Sequence, residues 1–175
     1  NVKTIGVYEA LRFDIRDSIP RWIRLGSRGS AEQILGERSS LYDPKLWGGV
    51  RGTRDDTLSG SPYVILDWNA ENAKRWDSAW TELFAPRILG NWRDADYLRW
   101  RYVDHPSFRY VMQFAEDPIS GSLAGLLVYR IETVLGLDAK VLRVLEFLSV
   151  GEAGKALARV VVEVSESEDV AFSDF

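Results

Sequence analysis

Apolar residues near the end of the chain recur at the spacing expected for one face of a helix. The stripe comprises Ala153, Ala156, Leu157, Val160, Val161 and Val164. A stripe of this length predicts an amphipathic helix that packs on a sheet, and it outweighs the weak strand preference of the β-branched run at 160–162. Apolar residues resume at 169–175, where we predict a strand.

Three segments before this helix have the composition of strands. They cover residues 108–115, 123–134 and 140–150. Turn residues around Asp117-Pro118 and Gly136 separate them, so hairpins should connect them. A strand, a helix and a second strand in succession form a parallel pair by crossover. We therefore predict an α+β fold with a mixed, mainly antiparallel sheet and flanking helices.

Two shorter helices are predicted upstream of these strands. Asn69 is a suitable N-cap for the first, and its tryptophan-rich face is more typical of core than of a ligand-binding surface. The second begins near Asp94 and ends before His105-Pro106, because the residue before a proline disfavours helical backbone. A strand over residues 63–67 should precede both helices.

A glycine- and serine-rich stretch divides the chain. Residues 26–62 hold seven glycines and six serines, which is typical of a linker, with a short helix expected near residues 31–35. We predict three parts: the C-terminal tail of a first domain at 1–25, the linker at 26–62, and the N-terminal and central part of a second domain at 63–175. The chain starts within a helical pattern and stops on an apolar run, so we expect both domains to be incomplete.

Composition narrows the classes of function. The chain has 175 residues, 46% of them apolar, with no cysteine, one histidine (His105) and a net charge of −4. The absent cysteines exclude a cysteine nucleophile and a thiolate metal site, and we expect no bound metal. The net negative charge gives no sign of the basic surface that binds nucleic acid, and no apolar run is long enough to span a membrane. We expect a cytoplasmic protein with neither kind of partner.

The junction between the third strand and the last helix is a candidate anion site. Gly151 and Gly154 leave backbone amides unobstructed at a helix N-terminus, and Lys155 adds a positive charge. Glu152 opposes an anion at the same place. The alternative is a tight turn with no ligand.

This order of hairpins, glycine-containing turn, amphipathic helix and returning strand resembles the acetyl-CoA-binding core of the GNAT (Gcn5-related N-acetyltransferase) superfamily. The loop of that family reads Gln or Arg, two residues, Gly, one residue, then Gly or Ala; Gly154 and Ala156 match, and Gly151 stands in the Gln/Arg position. The resemblance implies acetyl-CoA, or another acyl-CoA, as cosubstrate. The contacting residues it implies are Val150, Gly151, Gly154, Lys155 and Ala156.

Two further segments resemble the same superfamily. Asn1 with Tyr8-Glu9 and Leu11 is similar to a GNAT signature in which the Asn and Tyr contact the cofactor and the Tyr protonates the leaving thiolate. That resemblance implies Asn1 as a cofactor contact and Tyr8 as the acid; alternatively, Tyr8 is an apolar-face aromatic residue.

The segment from Arg93 to Tyr110 resembles two-domain GNAT proteins and their FemAB-like relatives. Its aromatic and basic residues are the candidate substrate contacts: Arg99, Trp100, Arg101, Tyr102 and His105. A solvated helix face explains the arginines equally well, and a histidine before a proline commonly caps the local backbone.

Glu146 on the third predicted strand is the candidate general base. Regular alternation puts it on one face with Leu142, Val144 and Leu148. Burial among apolar side chains increases the proton affinity of a carboxylate, and GNAT enzymes frequently place their base on this strand. The alternative is a structural glutamate paired with Arg143 or Arg130.

Together these features predict an acyltransferase that moves an acyl group from acyl-CoA to an amine, such as an amino sugar or another small metabolite. We also expect two GNAT-like halves to pack together. One alternative is a non-catalytic half that recognises substrate or packs on its partner half. The other is FemAB-like aminoacyl transfer, against which the net charge of −4 argues mildly.

Overall fold

The computed structural model describes residues 22–41 and 60–175. Asn1, Tyr8 and most of the predicted first-domain tail lie outside these residues. The strands are β1 (Ile23–Leu25), β2 (Val64–Asp67), β3 (Val111–Glu116), β4 (Leu123–Thr133), β5 (Lys140–Ser149) and β6 (Phe172–Asp174). The helices are α1 (Arg28–Leu35), α2 (Ala70–Ala79), α3 (Ala95–Leu98) and α4 (Ala153–Ser167). A 3₁₀ turn (Gly36–Leu41) extends α1, and π-helical turns (Trp80–Phe84 and Arg99–Val103) extend α2 and α3.

The six strands form one sheet in the order β1-β6-β5-β4-β3-β2. Neighbouring strands are antiparallel except β5 and β6, which are parallel and bridged by α4. The predicted α+β fold and its single parallel crossover are therefore confirmed. The parallel pairing joins Val141–Arg143 to Phe172–Asp174.

The sheet carries an apolar layer on each face. On one face, Trp76, Trp80 and Phe84 pack against β3 and β4, so the tryptophan-rich helix is core as predicted. On the other face, α4 buries its predicted stripe against residues such as Leu127 and Leu142. The alternation of β4 separates the two layers, because successive side chains of a strand point to opposite faces.

The predicted helix starts are confirmed by their caps. The Asn69 side chain accepts a hydrogen bond from the backbone N–H of Asn72 at 2.8 Å, and Asp94 accepts one from Tyr97 at 2.9 Å. Each cap satisfies an N–H that the helix leaves unpaired, which is why short polar residues are favoured at these positions.

The short helix expected inside the glycine-rich stretch is present as α1, and it is tied to β6. Gly26 donates its N–H to Ala171 at 2.8 Å, and a Cβ added at Gly26 would lie 1.7 Å from the carbonyl oxygen of Val170. Only glycine fits such a close approach of two backbones. Residues 23–25 thus belong to the same sheet as residues 63–175, and the division of the chain into two domains stays a prediction.

Asp169 fixes the start of α1 to the turn before β6. The hydroxyls of Ser30 and Ser27 donate to its carboxylate at 2.7 Å and 2.8 Å. These hydrogen bonds, that from Ser30 first, hold the pKa of Asp169 below its ordinary value of 3.8. The charged carboxylate also lies at the N-terminus of α1, where the helix dipole favours an anion.

We expect Asp169→Asn to lower the free energy of unfolding by about 0.5–1 kcal/mol at pH 7, since the site is exposed. A lowered folded-state pKa contributes stability above the ordinary carboxyl range, and that contribution is lost as the pH falls through the folded value. The difference between wild type and variant should therefore shrink below about pH 4. Urea unfolding of both proteins at pH 7 and pH 3 measures this difference in the free energy of unfolding.

A background with Ser27→Ala and Ser30→Ala is the control. If Asp169→Asn destabilises that background as much as it destabilises the wild type, the hydroxyl–carboxylate contacts do not account for the effect.

Candidate active site

A bulge in β5 decides where Glu146 points. Val128 of β4 lies opposite Glu146, whereas the next residue, Tyr129, lies opposite Val144, so Leu145 is an extra residue on β5. A bulge of this kind reverses the alternation of side chains beyond it. The prediction that Glu146 shares a face with Leu142 and Val144 is therefore wrong.

The two sides of the bulge belong to different apolar layers. Leu142 and Val144 pack in the layer under α4, whereas Leu148 packs in the layer with α2. Glu146 lies with Leu148, as predicted, on the face covered by α2 and α3.

Glu146 is held by two donors from different elements. The Tyr102 hydroxyl donates to Oε1 at 2.9 Å, and Nε of Arg93 donates to Oε1 at 3.2 Å and to Oε2 at 3.0 Å. Only 10% of the Glu146 side chain is exposed, compared with 22% of Arg93. A carboxylate this buried requires compensation by donors or by a cation, and here it has both.

The partner of Glu146 is therefore Arg93, and the predicted partners, Arg143 and Arg130, pair elsewhere. Arg143 binds Glu132 at 2.5 Å and Asp174 at 2.6 Å, and Arg130 also pairs with Glu132. Sequence reasoning missed Arg93 as a site residue, although it opens the aromatic segment of 93–110. The signal was its place directly before the cap Asp94, at the entry to α3.

Local structure explains why Arg93 reaches Glu146. The buried indole N–H of Trp76 donates to the Arg93 carbonyl at 2.7 Å, and the Ala95 N–H donates to Asp77 at 2.7 Å. These hydrogen bonds hold the N-terminal end of α3 against α2. The Arg93 side chain also donates from Nη1 to the Asn91 carbonyl at 3.1 Å, which further orients the guanidinium.

Tyr102 acts as a hydrogen-bond donor in this cluster. It is 5% exposed and lies in the π-helical turn after α3. Burial, and secondly the charge of Glu146, raise the pKa of Tyr102 far above its ordinary value. A phenol that holds its proton so strongly positions the carboxylate and is a poor acid toward a leaving group.

An aromatic cluster continues from Tyr102 along the same face. Tyr110 packs edge-on to Tyr102 with ring centroids 5.1 Å apart, and Arg130 lies over the Phe108 ring at 3.8 Å while donating to the Tyr110 hydroxyl at 2.8 Å. His105 Nδ1 accepts from the backbone N–H groups of Ser107 and Phe108. The neutral ring therefore carries its proton on Nε2.

The other predicted substrate contacts lie at the surface beside this cluster, and the Arg101 guanidinium is 5.9 Å from the centroid of the Tyr102 ring. Arg99, Trp100 and Arg101 are exposed on the turn that buries Tyr102, and the Trp100 ring lies tilted by 57° to the Tyr97 ring, with centroids 6.0 Å apart. The structure thus brings Tyr102 to Glu146 and leaves the three neighbouring residues at the surface.

The β5–α4 junction, where the resemblance expects the diphosphate of a coenzyme A thioester, has glycines at two positions where the backbone geometry requires them. Gly151 has a left-handed φ of 56°, which favours glycine, and a Cβ added at Gly154 would lie 2.8 Å from Oγ of Ser149. The missing side chain lets the start of α4 lie close against the end of β5. Glu152 makes no capping hydrogen bond with its side chain; in the first turn of this 15-residue helix, Ala153 and Lys155 donate their N–H groups to the carbonyls of Val150 and Glu152.

The charges at this junction partly cancel. Lys155 forms an ion pair with Glu152, and both side chains are about half exposed. Ala156 is fully buried against the sheet, backbone included, so the structure does not expose this predicted cofactor contact. Val150 lines an open groove of about 460 Å³ between α2 and the β3–β4 hairpin. Of the five predicted cofactor contacts, Val150 lines this groove, and the other four are not among its lining residues.

Within residues 22–41 and 60–175, no group of three or more His, Asp or Glu side chains is arranged to hold a metal ion. The helices of that part of the chain are all too short or too polar to cross a bilayer.

Comparisons with known proteins address the fold. No family model matches the sequence, and none of the curated proteins matches it. Among solved structures, glucosamine-6-phosphate N-acetyltransferase from Arabidopsis thaliana aligns with 63% of this chain and 78% of its own, at 14% identity and a TM-score of 0.47. A GNAT family acetyltransferase from Staphylococcus aureus aligns with 63% of this chain and 82% of its own, at 17% identity and a TM-score of 0.48.

The alignment with N-myristoyltransferase from Saccharomyces cerevisiae, solved with bound myristoyl-CoA, covers more of the chain. It includes 88% of this chain at 8% identity, with a TM-score of 0.51, and the chain spans 40% of the yeast enzyme. An identity this low supports a shared fold and nothing finer. In strand order, crossover and flanking helices, the chain has the GNAT acyl-CoA N-acyltransferase fold.

Proposed function

We propose that the protein is an N-acyltransferase that moves an acyl group from acyl-CoA, such as acetyl-CoA, to a small-molecule amine. One observation carries the proposal: Glu146, a nearly buried carboxylate, lies directly after the β5 bulge on the strand that leads to the amides of α4. Glu146 and Val150 are four residues apart, which spans about 13 Å of extended strand. That separation suits the extended arm between the diphosphate and the thioester of a CoA ester.

The residues that would hold the CoA ester are Gly151 and Gly154 through their backbone, with Lys155 as the cation. When bound, the ester supplies an activated acyl carbon that an amine can attack. Glu146 would accept the proton that the ammonium must lose, since Oε2 has one described donor and Oε1 has two. The nitrogen then forms the C–N bond, and the C–S bond breaks with its electron pair left on sulfur.

Three further residues complete this assignment. Tyr102 and Arg93 act as positioning residues, because they contact Glu146 and hold its carboxylate between α3 and β5. Tyr8, outside the described residues, remains the proposed acid for the leaving thiolate, on the resemblance of its segment to the GNAT signature.

A non-catalytic half-domain is the second candidate. Three features favour it: Arg93 already neutralises Glu146, Gly151 lacks the side chain that the resembling loop carries, and Glu152 brings a negative charge to the helix start. In that case the chain would recognise substrate or pack against a second half without taking part in the chemistry. FemAB-like aminoacyl transfer stays an alternative without a structural observation in its favour.

We expect Glu152→Gln to strengthen acetyl-CoA binding about threefold, because it removes an anion from a helix N-terminus that should receive phosphate. Isothermal titration calorimetry on the full chain measures the dissociation constant. Glu163→Gln is the matched control, since Glu163 lies on the same helix and pairs with Arg159. Unchanged or weaker binding in Glu152→Gln would place the CoA ester elsewhere, and no binding by the wild type would overturn the proposed function.

We expect Glu146→Gln to lower kcat at least about 100-fold with little change in acetyl-CoA affinity, because the amide cannot accept the ammonium proton. A thiol-reactive dye can follow released CoA without background, since the chain has no cysteine. Glu163→Gln again serves as the control. Full turnover by Glu146→Gln would show that Glu146 is not the base, and absence of turnover in the wild type would favour the non-catalytic half-domain.

A further inference from the structure

Arg93 and Glu146 present opposite charges side by side at the candidate base. Nε of Arg93 lies 3.0 Å from Oε2 of Glu146, and the Trp76 indole fastens the Arg93 backbone. Nη1 of Arg93 donates to the Asn91 carbonyl, whereas Nη2 donates to no group within the described residues. The pair thus places a donor with no described partner beside Oε2, the Glu146 oxygen that accepts one described hydrogen bond where Oε1 accepts two.

This pairing restricts which amine can dock at Glu146. An ammonium that approaches Oε2 also approaches the guanidinium, and two positive charges at this distance repel each other strongly where water is scarce. An amine that carries an anion beside its nitrogen avoids the repulsion, because the anion can accept from Arg93 while the ammonium donates to Glu146. Charge-assisted hydrogen bonds of this type are the stronger ones in proteins.

The arginines of β4 and β5 on this face are paired with carboxylates of the fold, although the buried Nε of Arg130 has no hydrogen-bond partner among the described residues. Arg143 is held between Glu132 and Asp174, and Arg130 is held by Glu132, Tyr110 and the Phe108 ring. Their charges are therefore compensated within the fold. What sets Arg93 apart is its direct contact with the candidate base, together with an Nη2 that donates to no described group.

We propose that the acceptor is an amine with an anionic group close to its nitrogen, either the carboxylate of an amino acid or the phosphate of a small amino compound. The inference rests on the proposed function and assigns Arg93 as the residue that selects the acceptor. Arg93 binds the anion, Glu146 Oε2 binds the ammonium, and Tyr102 keeps the carboxylate in place. After binding, the proton passes from nitrogen to Glu146 as described above.

Calorimetry of acceptor binding to the full chain tests the inference without requiring turnover. The probes are matched pairs that differ in the anion: α-amino acids against their amides, and amino sugars or aminoalcohols against their phosphates, at a pH where both amines are protonated. We expect one class of anionic amine to bind at least about tenfold more tightly than its neutral counterpart. The carboxylate and phosphate arms distinguish the two sources of the anion.

Substitutions at Arg93 assign the preference to this residue. Arg93→Gln should reduce the preference to within about twofold, and Arg93→Lys should retain part of it, because lysine keeps the charge and loses the planar fork. Arg159→Gln, the same charge change on α4, is the matched control and should keep the full preference. Circular dichroism confirms that each variant is folded.

Three results would overturn the inference: equal binding of anionic and neutral amines, binding of neither class by the wild type, or a preference that survives in folded Arg93→Gln. The comparison of anionic with neutral amines on the wild-type protein tests the acceptor preference even if a variant fails to fold. Acetyl-CoA binding, measured separately, keeps the two proposals apart. A chain that prefers anionic amines but binds no acyl-CoA would refute the acyltransferase function and leave the acceptor site standing.

Discussion

The extra residue at Leu145 determines the arrangement of the candidate site. Without it, regular alternation would send Glu146 into the apolar layer beneath α4, where the described residues are almost all hydrocarbon. With it, the carboxylate faces α2 and α3, where a guanidinium and a phenol are placed to receive it. One inserted residue thus moves the Glu146 carboxylate from an apolar environment, where burying its charge would be energetically costly, to one where hydrogen-bond donors and a cation compensate that charge.

The need to compensate that charge also links the elements around it. Arg93 comes from the entry to α3, Tyr102 from the turn at its end, and Glu146 from β5. Removing any one partner leaves a buried polar group unsatisfied, which costs more than the contact itself contributes. The same requirement that stabilises the α3–β5 packing therefore also orients the group proposed to accept a proton.

Short-range sequence patterns predicted much of the architecture. The stripe of α4, the caps Asn69 and Asp94 and the turn residues between strands each depend on neighbours within a few residues, and the structure confirms the elements that they predict. The face of Glu146 was predicted wrongly because regular alternation along β5 was assumed, and a bulge has no dependable signature in a sequence of Val, Leu and charged residues. Its partner was missed because Arg93 lies 53 positions away and meets Glu146 only through the packing of α3 on the sheet.

The sequence by itself determined the succession of strands and helices along the chain, the parallel crossover and the glycine-containing turn before α4. These features follow from hydrophobic periodicity, helix capping and the conformational freedom of glycine, all of which depend on residues that are near one another in the sequence. The tertiary structure alone decided that Arg93 meets Glu146 across 53 positions and that Gly26 must lie against Val170. Such contacts depend on strand register and on how closely helices approach the sheet. Those quantities are set by the packing of the whole sheet and by no short stretch of sequence.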